Sequence, residues 1–303
     1  MRKYLIVLAF IAAVAAVFTV LNVGTGKNKS TLETGILGYL GITEEEFQKG
    51  FDDFRVFMLS SDRSADLAAD PFLNSIIEKP RTFHFYHSLM ALMMDLKAGK
   101  LDEMILPESV GLYLLNRNNL YHTVQSTAIL ESGVCFGFRE DSGELRDSFN
   151  SVIKEMEADG TLEKLRNKYI SVSSGREPVP ARPDKINDAD ELKIAVTGDM
   201  PPIDMFAGDG KPSGYNTAIL TEIGRRLGKN ITFINTEAGG RSAALVSGRA
   251  DVVFWYRATQ SCIEGQDPLD EIFKDAPEGI NLSMPYYSWG REIIIRMKKS
   301  GEY

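Results

Sequence analysis

An alternation of short apolar runs with helical patterns, which begins after residue 190, constrains the fold of this chain more than any other feature. Apolar runs typical of strands occupy 192–196, 231–235 and 251–255, and helical patterns lie between them. The first of these helical patterns ends at Gly228, a residue suited to the left-handed conformation that closes a helix. Since parallel strands need a crossover that is usually helical, this order predicts a mainly parallel sheet covered by helices.

A seven-residue pattern, Leu-x-x-Gly-basic-x-Asp, occurs twice. It covers Leu96–Asp102 and Leu245–Asp251, and each copy leads into an apolar run. The glycine suits a helix C-cap, and the basic residue lies near the negative end of the helix dipole. Each copy therefore predicts the end of a helix and a buried strand after it. Coincidence is the alternative, but the context favours two related α/β lobes.

The N-terminus has the pattern of a targeting segment. Arg2 and Lys3 precede an apolar run over 4–20, as in a secretory signal peptide. The run also approaches the roughly 20 residues that span a bilayer, so an uncleaved membrane anchor over residues 4–23 is the alternative. Both interpretations predict that the rest of the chain is exported to the periplasm or to the extracellular face of the membrane.

The composition is that of a globular protein. The chain has 303 residues, 44% of them hydrophobic and 25% charged, which allows one large or two medium domains. Its formal net charge is -8, whereas nucleic-acid binders carry a basic face, so no nucleic-acid partner is expected. The two cysteines, Cys135 and Cys262, exclude a multiple-disulfide framework and leave a single bridge or a buried thiol at Cys135.

The sequence offers no convincing catalytic, metal or cofactor motif. It contains neither Gly-x-Ser-x-Gly nor Gly-x-x-x-x-Gly-Lys. His84 and His87 form the only close histidine pair, and no cysteine or acid stands beside them at metal-ligand spacing. The chain is therefore expected to be a non-enzymatic protein without a metal or a cofactor.

Seven short motifs in the second half resemble, in their order, the first lobe of family 3 extracytoplasmic solute-binding proteins. They are Leu192-Lys-Ile-Ala-Val, Asp199-Met-Pro-Pro, Asp209-Gly-Lys, Gly214-Tyr-Asn, a helix that ends in Arg226-Leu-Gly, Leu245–Asp251 and Pro285-Tyr-Tyr. Each motif is weakly specific alone, and their common order carries the resemblance.

The first half resembles the remainder of the same fold. Leu96–Asp102 resembles the second-lobe signature, and Glu144–Asn150 and Asp159–Tyr169 resemble the closing helices. The segment 291–297 resembles the first hinge strand. In the family the first lobe comes first and the closing helices come last. A circular permutation accounts for the different order here, because the termini of such folds are often close together; a remnant of a tandem pair is the alternative.

The resemblance implies an α/β fold of two Rossmann-like lobes with mainly parallel sheets, joined by a hinge. This is the periplasmic binding protein type II architecture, circularly permuted. Three prolines after Ser171 mark a linker. The implied parts are a signal peptide or anchor (1–28), a second-lobe-like domain (29–139), the closing helices (140–170), the linker (171–190) and a first-lobe-like domain with a hinge strand (191–303).

Proteins of this architecture hold their ligand at loops that follow the carboxyl ends of the strands. In the first lobe, Asp199 and Asp204 are predicted to meet a ligand cation, with turn hydrogen bonds as the alternative. Trp255 and Tyr256 are predicted to form an aromatic platform, with core packing as the alternative. Arg257 is predicted to hold an anionic group, with a solvated surface position as the alternative.

The family's carboxylate-binding arginine belongs to a Thr-x-x-Arg pattern, and the matching stretch here, Thr259–Cys262, lacks it. Arg257 is the predicted substitute. In the second lobe, the loop with Ser60, Ser61 and Asp62 precedes a predicted helix and is a candidate ligand contact. Glu108 stands one position from the place where the family carries the acid that meets an ammonium group.

The function implied by the resemblance is extracytoplasmic binding of a small polar solute, an amino acid or a related compound. The implied partners are that small molecule and the membrane permease of an ABC-type importer. Two alternatives stay open: the ligand-sensing outer domain of a membrane signalling system, and a dehydratase-like enzyme on the same fold.

Overall fold

The computed structural model describes residues 31–37, 43–59, 79–128, 133–171, 179–258, 279–288 and 291–298. In chain order its elements are β1 (Leu32–Leu37), α1 (Glu44–Met58), β2 (Arg81–Tyr86), α2 (Leu89–Lys97), β3 (Glu103–Pro107), α3 (Glu108–Arg117), β4 (Tyr121–Ala128), β5 (Gly133–Arg139), α4 (Gly143–Ala158), α5 (Thr161–Tyr169), β6 (Glu191–Val196), β7 (Asp199–Met200), β8 (Asp204–Phe206), β9 (Pro212–Ser213), α6 (Tyr215–Leu227), β10 (Asn230–Asn235), a 3-10 turn (Ala238–Gly240), α7 (Arg241–Val246), β11 (Val253–Ala258), β12 (Ile280–Leu282), β13 (Tyr287–Ser288) and β14 (Arg291–Met297).

The predicted α/β class is confirmed by these elements. Within the described ranges, no helix has both the length and the apolar character needed to cross a bilayer. The apolar run over 4–20 lies outside those ranges.

The described residues divide into two compact units. Unit 1 takes the residues up to Gly111, residues 118–128 and β14, and unit 2 takes residues 112–117 and 133–288. The predicted domain boundaries follow the linear chain, whereas β5 pairs within unit 2 and β14 within unit 1. Each half of the chain thus gives one strand to the unit built mainly from the other half.

Unit 1 is built on a five-stranded sheet in the order β2-β1-β3-β14-β4. β1 is parallel to β2 and β3, and β14 is antiparallel to β3 and β4. Helix α1 covers β2 through Phe47 and Phe51, whose ring centroids each lie 4.9 Å from that of Phe83. Gly111 of α3 permits close packing on β14, because a Cβ atom there would lie 2.2 Å from Cδ1 of Ile293.

A buried ion cluster joins four strands of unit 1. Glu103 of β3 is fully buried and accepts hydrogen bonds from Arg81 of β2 at 2.7 Å and from Thr34 of β1 at 2.9 Å. Arg296 of β14 donates to the same carboxylate at 2.6 Å. Burial acts to raise the pKa of Glu103, but the two guanidinium charges outweigh it and hold the pKa below its usual value.

The sheet of unit 2 has the same topology as the sheet of unit 1. β10 is parallel to β6, and a parallel bridge between Ile194 and Val252 joins β6 to the segment that leads into β11. β5 lies antiparallel between β11 and β12, which gives the order β10-β6-β11-β5-β12. In each unit, three parallel strands are followed by an antiparallel strand from a distant part of the chain.

The core of unit 2 is rich in aromatic side chains. Phe136 of β5 lies 5.5 Å from Phe149 of α4 and stacks on Tyr286 at 4.2 Å, measured between ring centroids. Cys135 of β5 is fully buried. Cys262 lies outside the described residues, so the pairing of the two cysteines stays a prediction.

Two contacts secure the middle of the chain within unit 2. Arg226 of α6 holds α4 and α5 in place, because its Nη2 atom donates to Asp159 at 2.7 Å and to Thr161 at 3.1 Å. Residues 179–190 follow without helix or strand, and Asn230 accepts a hydrogen bond from the N–H group of Ile186 at 2.8 Å.

Candidate functional site

The carboxyl edge of the parallel strands in unit 2 carries the two acids predicted for the first lobe. β6 ends at Val196, and a hairpin formed by β7 and β8 follows it. Asp199 begins β7 and Asp204 begins β8. Both acids therefore follow a parallel strand, at the edge where α/β proteins bind their ligands.

Asp204 is a fully buried carboxyl group that fixes the turn after β6. Its Oδ2 atom accepts hydrogen bonds from the N–H groups of Thr197 and Gly198, at 2.9 and 2.6 Å, and from the Thr197 hydroxyl at 2.7 Å. Its Oδ1 atom is buried and has no hydrogen-bond partner within the described part of the chain. Burial raises the pKa of Asp204 to about 6, and the three hydrogen bonds oppose that rise.

Asp199 shares the Thr197 hydroxyl with Asp204. That hydroxyl lies 2.7 Å from Oδ1 of Asp199 and 2.7 Å from Oδ2 of Asp204. A hydroxyl has one proton to donate, so both contacts are hydrogen bonds only when one carboxyl group of the pair is protonated. Burial raises the pKa of Asp199, while the Thr197 hydrogen bond and the charge of Arg241 oppose the rise. The charge of Asp199 adds to the rise in the pKa of Asp204.

The first turn of α6 is fastened to the loop between β7 and β8. Gly214 adopts a φ of +98°, and a Cβ atom there would lie 2.6 Å from the carbonyl oxygen of Ile203 and 2.7 Å from that of Pro202. The N–H groups of Tyr215 and Asn216 donate to these same carbonyl groups, at 3.1 and 2.9 Å. The positive φ and the close approach together require glycine. The N–H groups of the first two residues of α6 therefore fasten the helix to the loop between β7 and β8.

Asn216 and Tyr286 form a buried polar pair. The Tyr286 hydroxyl donates to Oδ1 of Asn216 at 2.8 Å, and burial raises the pKa of Tyr286 well above its usual value. Nδ2 of Asn216 is buried, and no described residue forms a hydrogen bond with it. It retains the capacity for a further hydrogen bond, as Oδ1 of Asp204 does.

β11 carries the other three residues predicted for this edge. Trp255, Tyr256 and Arg257 lie in this strand, which pairs with β5 and shifts register between Phe254 and Tyr256. The shift is a β-bulge, a feature that is over-represented beside functional sites. The side chains of these three residues are not among those described, so their contact with a ligand stays a prediction.

Arg241 stands at the same edge, and the sequence patterns did not point to it. It begins α7, and its Nη1 atom donates to the carbonyl oxygen of Phe254 at 3.2 Å. The role of the Thr197 hydroxyl was missed as well, although Thr197 lies only two residues before Asp199, which was predicted to contact ligand. The pair Gly239-Gly240 directly before Arg241 is the one local signal of a loop that turns into a helix at this edge.

The sites predicted in unit 1 are only partly described. Ser60, Ser61 and Asp62 lie outside the described residues. Glu108 is the partly exposed first residue of α3, directly after β3. It therefore follows the carboxyl end of a parallel strand, and its contact with a ligand stays a prediction.

Metal ligands are not assembled in the described ranges, where no group of three or more His, Cys, Asp or Glu side chains could hold a metal ion. Nε2 of His84 lies 2.8 Å from Oε2 of Glu33. His84, the member of the histidine pair that lies in β2, therefore contacts a carboxylate of the neighbouring strand β1.

Residues 192–259 match the model of the bacterial extracellular solute-binding proteins, family 3. The matched segment extends from β6 through β11 and contains Thr197, Asp199, Asp204 and Arg241. The arginine-binding extracellular protein ArtP of Bacillus subtilis (strain 168) is 34% identical to this chain over 82 residues, which are 26% of this chain and 32% of that protein. The matched stretch thus spans about a third of that relative. Both descriptions are of binding proteins and not of enzymes.

Two solved structures resemble the chain in part. The GluR0 ligand-binding core in complex with L-glutamate is 11% identical, covers 91% of this chain and 88% of its own, and has a TM-score of 0.39. The periplasmic aliphatic sulphonate binding protein SsuA from Escherichia coli is 8% identical, covers 89% of this chain and 66% of its own, and has a TM-score of 0.40.

Proposed function

Because residues 192–259 match the model of the bacterial extracellular solute-binding proteins, family 3, we propose that this chain binds a small polar solute outside the cytoplasm and releases it unchanged. The observation that carries the proposal is the turn from Thr197 to Asp204, inside the matched segment, which fixes Asp199 at the carboxyl edge of a parallel sheet. Small ligands bind at this edge in α/β proteins.

The solute is an amino acid or a related compound in this proposal. Asp199 is partly exposed and supplies a carboxylate for a cationic group, while Asp204 is buried and holds the turn that carries it. Trp255, Tyr256 and Arg257 add contacts at the end of β11. The relative described as an arginine-binding protein supports the amino-acid class.

Delivery and location complete the proposal. The solute is passed to the membrane permease of an ABC-type importer, and the chain acts in the periplasm or on the extracellular face of the membrane. The match to an extracellular family supports export. Residues 1–28 serve as the signal peptide or the anchor.

The order of the chain is, in this proposal, a circular permutation of the family's order. β14 completes the sheet of unit 1 and β5 that of unit 2. Helices α4 and α5 contact α6 of unit 2, although they precede it in sequence. These contacts support a single chain that supplies both lobes and both crossing strands.

A thermal-shift screen of the full chain against amino acids, polyamines, small peptides and carboxylates tests the function. A solute that binds only the folded protein raises Tm, by the equivalent of about 2.7 kcal/mol at a hundredfold excess over Kd. At least one amino acid should do so with wild-type protein and fail with Asp199→Asn. Asp184→Asn is the charge-matched control, because Asp184 is exposed within residues 179–190. The proposal is wrong if no solute raises Tm or if a bound solute is chemically converted.

A further inference from the structure

Three methionines lie close together on helix α2 of unit 1. They are Met90, Met93 and Met94, so three of the 11 methionines of the chain fall within five consecutive residues. Residues three and four apart are neighbours on the surface of a helix, with Cβ atoms about 5–6 Å apart. Met93 and Met94 follow Met90 at these two spacings. The three side chains therefore start from one patch of the helix surface.

This methionine patch lies beside the face of α2 that packs on the sheet. The buried residues of α2 are Leu89, Leu92 and Leu96. Met90 and Met94, in contrast, are 63% and 62% exposed, and Met93 is half-buried. No other methionine of the described ranges is among the large apolar side chains exposed to solvent. The patch is therefore open to a dissolved ion.

Helix α2 holds the patch in a fixed position. Leu92 packs on β1, because a Cβ atom at Gly35 would lie 2.3 Å from Cδ1 of Leu92. The Tyr86 hydroxyl at the end of β2 donates to Oδ2 of Asp95 at 2.8 Å. Binding sites on a packed helix are positioned more precisely than sites on loops. The backbone that carries the three methionines is thus in place before an ion arrives.

The thioether groups give this patch a definite metal preference. Imidazole, thiolate and carboxylate ligands form no cluster of three within the described residues. Thioether sulfur is a soft, polarisable ligand that suits Cu(I), whereas Mg²⁺ and Ca²⁺ take oxygen ligands. We propose that Met90, Met93 and Met94 bind one soft monovalent cation, Cu(I) or its redox-stable analogue Ag(I), through their three sulfur atoms. Solvent weakens the repulsion from Lys97, because that side chain is exposed.

This metal site is a function in addition to the solute binding proposed above and does not depend on it. Titration of the full chain with silver nitrate in chloride-free buffer tests it, with isotope-labelled methionine methyl groups observed by NMR. Treatment with N-ethylmaleimide first caps any accessible cysteine thiol, because a thiolate would compete for the ion. The methyl resonances of the three methionines should shift together and saturate at one ion per chain. Zn²⁺ at the same concentration should leave them unmoved.

Met90→Leu and Met94→Leu separate the sulfur atoms from the apolar surface. Leucine keeps the bulk and the helix propensity of methionine, so Tm without the metal should stay unchanged. Each variant should bind Ag(I) about tenfold or more weakly, since the loss of even a supporting group of a metal site costs that much. Met284→Leu removes a single half-buried methionine of unit 2 and is the matched control, which should keep the affinity of the wild type.

Three results would overturn the proposal. Ag(I) could leave any of the three methionine resonances unmoved, or it could shift methionines throughout the chain without saturation, as adventitious binding does. The affinity for Ag(I) could also persist in both leucine variants, which would mean that the exposed methionines serve only as apolar surface.

Discussion

At the scale of single residues, the raised pKa values of Asp199 and Asp204 make the stability of the turn after β6 depend on pH. The Thr197 hydroxyl lies 2.7 Å from an oxygen of each carboxyl group. Burial outweighs the hydrogen bonds in setting both pKa values, which lie above the usual value for an aspartic acid. Folding therefore takes up protons at mildly acidic pH, the opposite of what an exposed and ion-paired carboxylate does.

We predict that the contribution of Asp204 to stability falls as the pH rises from about 4 to about 6. The pKa in the folded protein is about 6 and the usual value is 3.8, so the folded state binds more protons than the unfolded chain in this window. The loss approaches about 3 kcal/mol above both values. Thermal unfolding of Asp204→Asn checks this, because the variant should gain stability over wild type across that window.

Two carboxyl groups with lowered pKa values, Asp159 and Glu222, serve as the comparison for the pH experiment, because their effect on stability has the opposite dependence on pH. The pKa of Asp159 is lowered to about 2, chiefly by the Thr161 hydrogen bond, and that of Glu222 to about 2, chiefly by the Arg225 hydrogen bond. Their contributions are lost as the pH falls from their usual values, 4.5 for Glu222 and 3.8 for Asp159, toward about 2, so most of that loss lies below the Asp204 window. Parallel Tm curves for wild type and Asp204→Asn between pH 4 and 6 would contradict the prediction.

Gly214 and Gly228 allow a matched comparison of two glycines with positive φ. Gly214 is crowded by the carbonyl oxygens of Pro202 and Ile203, whereas a Cβ atom at Gly228, at a φ of +63°, would meet nothing within 4 Å. Gly228→Ala should therefore cost about 1 kcal/mol of unfolding free energy, and Gly214→Ala about 3 kcal/mol, because it adds a steric clash to the strain. Urea unfolding measures the unfolding free energy of both variants. Equal decreases would show that the carbonyl groups of Pro202 and Ile203 move aside without an energetic cost.

At the scale of elements, the ion cluster around Glu103 fixes β14 in the sheet of unit 1. We predict that Glu103→Gln lowers the unfolding free energy by about 3 to 5 kcal/mol, because it removes the buried negative charge that faces the guanidinium groups of Arg81 and Arg296. Glu33→Gln is the control, since its contact with His84 is partly exposed and should contribute less than about 1 kcal/mol.

Hydrogen exchange adds a local readout to that comparison. The amide groups of β14 that pair with β3 and β4 should lose protection in Glu103→Gln. A stability change no larger than that of Glu33→Gln, with unchanged protection of β14, would mean that apolar packing alone fixes the strand.

Much of the local structure could be predicted, because its signals are local. The predicted strands 192–196 and 231–235 match β6 and β10 to within one residue at each bound, and Gly228 is the left-handed C-cap of α6. The placement of β5 and β14 could not be predicted in this way. Both are apolar runs whose antiparallel partners lie far away in sequence, and periodicity within a strand does not identify its neighbours.

The candidate site was predictable in outline and not in detail. Asp199 and Asp204 follow a predicted strand, which is a positional argument available from sequence. The sequence does not show that Asp204 holds the turn while Asp199 stays partly exposed. That difference depends on burial and on the position of the Thr197 hydroxyl, which are tertiary properties. Arg241 is brought to the edge of the sheet by packing between α7 and β11, and a lone arginine after two glycines carries no specific signal of that contact.

At the scale of the whole molecule, a circular permutation predicts that one chain supplies both units. Sedimentation velocity of residues 29–303 at micromolar concentration should show a compact monomer. If the chain is permuted in this way, a variant in which residues 191–298 precede residues 31–171 has the order of the family and should fold and bind the same solute. An obligate dimer, or two independent unfolding transitions in the monomer, would favour the remnant of a tandem pair.

The central claim is that this chain captures a solute and does not convert it. Equilibrium dialysis of wild-type protein and of Asp199→Asn against a mixture of amino acids, followed by mass spectrometry of what each protein retains, tests it most directly. Wild-type protein should retain one amino acid, or a closely related group, in stoichiometric amount and in unaltered form, and Asp199→Asn should retain none. Retention of nothing by wild type, or recovery of a chemically altered solute, would contradict the claim.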